Sequence, residues 1–176
     1  MEITVTRATH EDVDRLVEMY LALEPEQTAR KPVWALTDGL DETFSQSFID
    51  AINAPESWVF VGRIDGSTVG MIWATIEPML ARANGSRIGK IRIVFTEEEA
   101  RGVGVGHEML ETALEVLRGV GIRYFDAPVG PGQRSTKNFF EGHQFAARSI
   151  IMHHADDPTT GNVSEKSSEI GEPSHA

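Results

Sequence analysis

The chain contains no cysteine, which excludes disulfide staples, thiolate metal sites and a cysteine nucleophile. Basic residues are scarce: 16 Lys and Arg stand against 27 Asp and Glu, a formal charge of −11. A duplex-binding protein needs a basic face to neutralise phosphates, so no nucleic-acid partner is expected. Long apolar runs are missing as well. Nothing approaches the roughly 20 residues of a membrane span, and no charged, apolar and small-residue leader opens the chain. A cytoplasmic protein without a membrane partner is the expectation. Aromatics are only 7% of the residues, yet 40% are apolar, and 176 residues suffice for one core but not comfortably for two.

Part of the negative charge is local. From residue 155 onward five acids meet one lysine, so the tail carries −4 of the −11 and leaves −7 for the body. The tail is also free of aromatics and rich in Ser, Thr and Gly, the composition of a disordered segment. The expected organisation is a single domain over 1–154 followed by an acidic disordered tail over 155–176. The acidic body is compatible with a cationic substrate, although solubility accounts for the same charge.

Residues 3–7 (ITVTR) read as a strand. Thr9 and Asp12 hold the positions of a capping box, with aspartate for the usual glutamate. Val13, Leu16, Val17 and Tyr20 then recur at helical spacing, predicting a helix ended by Pro25. Residues 27–36 contain a proline and no period, and are expected as a loop. Leu40, Phe44, Phe48 and Ile52 predict a second helix that starts near Asp38 and stops before Pro55. The β-rich runs 58–64 and 68–77 flank Asp65-Gly66-Ser67, a hairpin signal. A second turn at 83–86 leads into 87–96, where Ile91, Ile93 and Phe95 alternate. Leu110, Ala113, Leu114 and Leu117 mark a helix closed by Gly119 and Gly121. A strand over 122–129, a short helix over 135–141 and a final strand over 145–153 complete the chain. The order β-α-α-β-β-β-α-β-α-β predicts an α/β protein of the α+β type, with a mixed, mainly antiparallel central sheet and helices on both faces. The unit 87–129 implies one parallel pair with a right-handed crossover.

Three alternate glycines, Gly102, Gly104 and Gly106, stand between the strand over 87–96 and the next helix, directly after Arg101. A tight glycine turn that opens a helix points unpaired N–H groups in one direction, and with the helix dipole they favour an anion. Without side chains the backbone can approach a phosphate, and Arg101 adds a fixed positive charge. Val103 and Val105 are expected to point inward as anchors. The spacing suits a pyrophosphate; the alternative is that the glycines merely relieve a crowded turn. A dinucleotide fingerprint fails because Met109 occupies its third glycine position, and a phosphate loop of the Gly-Lys-Ser/Thr type is missing.

Arg-x-x-Gly-x-Gly over 101–106, in that place between strand and helix, resembles the acyl-CoA-binding signature of the GNAT superfamily of N-acyltransferases. The order of elements over about residues 2–153 is similar too. The resemblance implies acetyl-CoA as co-substrate, with its pantetheine arm lying between splayed fourth and fifth strands. Phe95 and Thr96 would offer backbone groups to that arm. The amides of Gly102, Val103, Gly104, Val105 and Gly106 would hold the pyrophosphate beside Arg101. A deprotonated amine would attack the thioester directly, a strand amide would stabilise the oxyanion, and no cysteine would be needed.

The stretch QRSTKNFFEGHQF departs from the family pattern. Gln133 stands where Asn is common, Thr136 where Ala is, Phe140 where Tyr is, and Gln144 where Gly is. Gln133 is still expected at the cofactor. Phe140 cannot protonate a leaving thiolate, so Ser135, Tyr124 or water would substitute, and Phe139-Phe140 read equally as core packing. Glu97 is the candidate base, directly or through a water, against a reading of Glu97-Glu98-Glu99 as a solvated acidic turn; Glu77 is second. His107 would meet a phosphate or simply be an exposed helix start. His153-His154 lack metal-ligand spacing, and no metal is expected. Trp58 and Trp73 read as sheet residues, whereas Trp34 would wall an acceptor site or anchor a loop.

The expected function is transfer of an acetyl or other acyl group to a primary amine of a small molecule or peptide. The alternative is a catalytically silent acyl-CoA-binding or regulatory domain of the same fold. A homodimer is compatible with the resemblance, with no residue that selects an interface.

Overall fold

Asp65 and Gly66 turn the chain at φ of 47° and 84°, the left-handed pair of a tight hairpin. They join β2 (Ser57–Ile64) to β3 (Ser67–Pro78), with Ile64 opposite Ser67. In this computed structural model, which describes residues 1–156, the hairpin is the centre of a five-stranded sheet. β1 (Ile3–Arg7) pairs antiparallel with β2, β4 (Arg87–Thr96) antiparallel with β3, and β5 (Tyr124–Asp126) parallel with β4. The strand order is therefore sequential, and the mixed, mainly antiparallel sheet is the one expected.

Each face of the sheet carries its own apolar layer. On one, α1 (Val13–Thr28) and α3 (Phe44–Asn53) set Leu16, Met19, Tyr20, Leu23 and Phe48 against Val59, Val61, Met71, Ile93 and Phe95. On the other, α4 (Val105–Gly119) sets Met109, Leu110, Ala113, Leu114 and Leu117 against Phe60, Ile72, Ala74 and Ile91, and Phe140 of α5 (Arg134–Gly142) joins them. Burial of each Leu, Ile or Met contributes about 1.5–3 kcal/mol. Two bare positions let α4 settle closely. A Cβ at Gly62 would meet Val105 Cγ2 at 2.6 Å, and one at Gly70 would meet Met109 Cε at 2.8 Å.

The helices depart from the sequence expectations in the first third. α1 does not stop at Pro25 but runs to Thr28. A proline removes one helical hydrogen bond, and the buried stripe of Leu16, Met19, Tyr20 and Leu23 holds the helix through it. The expected loop 27–36 therefore contains the last turn of α1, and the short α2 (Trp34–Thr37) begins within it. α3 begins at Phe44 rather than near Asp38 because the preceding backbone is used otherwise. Leu40 N–H donates to Tyr20 Oη at 2.9 Å, and a Cβ at Gly39 would meet Ala35 O at 2.5 Å.

Two strand expectations also change. Ile91, Ile93 and Phe95 do not share a face: Ile91 packs with α4, Ile93 and Phe95 with α1 and α3. The cause is a bulge. Trp73 pairs with Ile93 and Ala74 with Ile91, so Arg92 is the extra residue, without an opposite number. An extra residue flips the phase of everything after it. The expected final strand over 145–153 does not form. Met1–Phe145 are one compact unit, and Ala146 to Asp156 carry neither helix nor strand. A strand exists only by pairing, and Ile150 and Ile151, 85% and 88% exposed, find no ladder among the described residues. Most of the expected tail, 157–176, lies outside the described residues.

Candidate active site

The parallel pair β4–β5 is short. It pairs Ile88 with Tyr124, Gly89 with Phe125 and Lys90 with Asp126, and then stops, while β4 continues to Thr96. From Ile91 on, that side of β4 faces no strand among the described residues. A narrow cavity of about 40 Å³ sits in the gap, between Ile91 to Val94 on one side and Pro128 on the other, with Gln133, Thr136 and Phe140 beneath α5. The bulge at Arg92 falls at the apex of this fork. Bulges concentrate beside active sites because they re-aim a strand's groups.

At the mouth of the fork lies the glycine loop. Gly102 and Gly104 have φ of 80° and 103°, a region that costs other residues about 1–2 kcal/mol. Crowding does not explain any of the three. A Cβ at Gly102 would meet nothing, at Gly104 only Ile3 Cδ1 at 3.6 Å, and at Gly106 Phe139 and Thr96 Oγ1 at 3.6 Å. Gly106 is needed neither for φ nor for space inside the protein; what its missing side chain leaves is an open approach to the backbone. No hydrogen bond among the described residues uses the N–H groups of Gly102, Val103, Gly104, Val105 or Gly106. Five amides at the start of a helix can receive an anion.

The side chains sort less simply. Val105 is buried, as an anchor should be, but Val103 is 38% exposed, so only one of the two valines points inward. Arg101 is engaged by the protein: its Nε donates to Thr96 O at 2.9 Å and its Nη2 pairs with Glu26 at 3.2 Å. The cavity touches Ile91 to Val94, deeper in the fork than Phe95 and Thr96. Glu97 does not reach the fork. Its carboxylate is paired with Arg15 of α1, and its N–H donates to Val69 O. Ser135 is exposed and outside the cavity, whereas Thr136, one helical step on, lines it. Gln133 lines the cavity, 8% exposed, and clamps its loop by accepting from Gly130 N–H at 2.6 Å and donating to Gln27 Oε1 at 3.3 Å.

Two residues not singled out for the fork line it. Trp34 is 4% exposed, a wall rather than a surface anchor. Lys31 lies across the gap: its stem packs on Gly130, where a Cβ would meet Lys31 Cγ at 2.5 Å, and its Nζ donates to Pro128 O at 3.0 Å. Burial pulls the Lys31 ammonium below the ordinary lysine value, with Asp38 offsetting part of the loss. No local pattern marks Lys31, because the carbonyl it donates to is 97 residues away in the chain.

Arg92 also lines a second, wider cavity of about 640 Å³ between α3 and the β2–β3 pair. Asp41, Asp50, Glu56 and Glu77 line it, and Arg92 is its basic residue. Glu56 is paired with Arg87, and Glu77 with Arg92 at 3.3 Å. The Arg92 guanidinium lies 5.2 Å from the Trp73 ring centre, and Trp73 Nε1–H donates to Ser57 Oγ at 2.8 Å. On the wall of the same cleft, Thr75 Oγ1 is buried without a hydrogen-bond partner in the protein. Native proteins seldom leave such a group unsatisfied.

A forked sheet with unpaired amides at its mouth has the shape and the donors to seat an extended amide-bearing chain ending in phosphates. Residues 14–145 match the model of the acetyltransferase (GNAT) family; the chain belongs to that family and is an acetyltransferase. None of the curated proteins matches the sequence. Among solved structures, a transcriptional regulator from Bacillus halodurans is similar with a TM-score of 0.70 at 22% identity, covering 87% of this chain and 100% of its own. AAC(6')-Iy in complex with the bisubstrate analogue CoA-S-monomethyl-acetylneamine gives 0.72 at 13%, covering 89% and 99%. A ribosomal-protein-alanine N-acetyltransferase from Brucella melitensis gives 0.62 at 12%, covering 89% and 99%. At these identities the likeness concerns the fold. No helix among the described residues is long and apolar enough to cross a membrane.

Proposed function

We propose that this chain transfers the acetyl group of acetyl-CoA to a primary amine of a cationic small molecule or peptide, by direct attack. The observation that carries the reading is the β4–β5 fork with unpaired amides of Gly102 to Gly106 at its mouth. The pantetheine arm lies along Ile91 to Val94 as a substitute strand, the diphosphate takes the loop amides, and Lys31 gives up the Pro128 carbonyl to admit it. The thioester carbonyl sits by the bulge at Arg92, where a strand amide and the guanidinium stabilise the oxyanion. The acceptor enters from the cleft, its cationic groups held by Asp41 and Asp50. Glu77 replaces Glu97 as the base that removes the ammonium proton, directly or through a water. The nitrogen bonds to the acyl carbon, the tetrahedral oxyanion collapses, the C–S bond breaks, CoA leaves as thiolate, and the second proton on the nitrogen passes to that thiolate or to water. The likeness in fold to AAC(6')-Iy bound to a CoA bisubstrate analogue and to an aminoglycoside acetyltransferase from a soil metagenomic sample supports an amine acceptor of this kind.

Calorimetric titration with acetyl-CoA tests the first half: one site per chain is expected, weakened about tenfold or more by Gly104→Val. A thiol-release screen over amines tests the second, with Glu77→Gln expected to lower kcat by about 10²-fold or more. Absence of acetyl-CoA binding sinks the reading.

A further inference from the structure

His107 and Glu111 stand four residues apart on α4, so one face of its first turns presents both. The end of α5 delivers His143 against them. His107 Nδ1 lies 2.6 Å from His143 Nε2, and one ligand atom from each of the three residues lies within 4.8 Å of the others. His143 Nδ1 is 2.7 Å from Phe139 O. That carbonyl accepts only, so Nδ1 carries the proton and Nε2 presents its lone pair to His107 and Glu111. Such a backbone contact fixes the tautomer and ring orientation of a metal-ligating histidine. An imidazole–imidazole hydrogen bond accounts for the two rings, and the i, i+4 spacing on α4 sets the Glu111 carboxylate beside them.

We propose that His107, Glu111 and His143 bind a divalent cation of the zinc class. Two imidazoles and one carboxylate, in a chain without a cysteine, suit Zn²⁺, Co²⁺ or Ni²⁺ rather than softer ions. Zinc–nitrogen bonds of about 2.0 Å in a tetrahedron hold ligand atoms about 3.3 Å apart. The two rings therefore separate by roughly 0.7 Å to admit the ion, within the reach of small χ adjustments. His107 is exposed and the other two are half-buried, so the fourth position opens to solvent and takes a water. The ion clasps the start of α4 to the end of α5. This inference does not depend on acetyl-CoA binding.

The test uses the full chain, stripped with a chelator and titrated with Zn²⁺ alone. One site per chain with a micromolar or tighter Kd is expected, with a visible Co²⁺ spectrum of a four- or five-coordinate site and a rise in Tm on adding zinc. His107→Ala, on the exposed first turn, should lower affinity about 100-fold and abolish the Tm shift, and Glu111→Gln about tenfold or more. Replacing both His153 and His154 by alanine should change nothing. Absence of a site at millimolar zinc overturns the proposal, as does equal zinc binding by the wild type and His107→Ala. An unchanged affinity in Glu111→Gln overturns the three-ligand site.

Discussion

Lys31 carries a charge in a place that does not favour one. Its stem is pressed on the bare backbone of Gly130, and its ammonium donates to the Pro128 carbonyl. The folded value therefore falls below the ordinary 10.5, burial being the main cause. Between that lowered value and 10.5 the unfolded chain binds more protons than the folded one, so this group makes stability rise with pH across the window. Below the window its penalty is present in full. Lys31→Met removes the titration but keeps the stem. Denaturant unfolding at steps from pH 7 to 10.5 should show the wild type gaining on Lys31→Met as pH rises. A difference that stays constant with pH would mean that the ammonium is solvated and does not obstruct the fork.

At the scale of elements, the contact between α4 and the sheet ties stability to the site. The helix begins at the glycine loop, and its first turn rests on Gly62 through Val105. Gly62→Val would force its methyl groups into Val105 and Met109. Overpacking of this kind costs about 1–3 kcal/mol, and the helix start is the part with freedom to yield. Both thermal stability and acetyl-CoA affinity should therefore fall, whereas Leu117→Ala, at the far end of the helix, should lower stability by about 2–5 kcal/mol with affinity retained. Equal affinity in Gly62→Val and the wild type would detach the loop from the helix. The helix, the hairpin and the loop were legible in the sequence because each is specified locally, by 3.6-residue spacing, Asp-Gly and alternate glycines. The bulge at Arg92 was not, since alternation at Ile91, Ile93 and Phe95 reads as an unbroken strand. Nor was the fate of Glu97, whose partner Arg15 is 82 residues away. Nor did the sequence show that Thr136 rather than Ser135 lines the cavity, since that depends on how α5 is turned against the sheet. The last strand failed for the same reason in reverse: β-prone residues announce a strand, but pairing decides whether it forms.

For the whole molecule, charge and shape act together. The body carries −7, from −11 less the −4 of the tail, and of the acids that line one cleft Glu56 is paired with Arg87 and Glu77 with Arg92 and Lys90, which leaves Asp41 and Asp50 without a salt bridge among the described residues. A concave, acidic surface focuses field lines and raises the local concentration of cations. A polycationic acceptor should therefore feel the cleft before contact, and added salt should weaken that attraction as the Debye length falls from about 10 Å at 0.1 M to about 3 Å at 1 M. Acetyl-CoA is an anion approaching an acidic body, so screening relieves its long-range repulsion while loosening its contacts with the loop amides, and the two effects oppose. The KM for a polyamine acceptor is expected to rise several-fold between low and high salt, with kcat little changed and the KM for acetyl-CoA moving less. Measuring both constants across a salt series with one polyamine and one uncharged-backbone monoamine separates the effects. An acceptor KM that is indifferent to salt for the polyamine would place the amine somewhere other than the cleft that Arg92 joins to the fork.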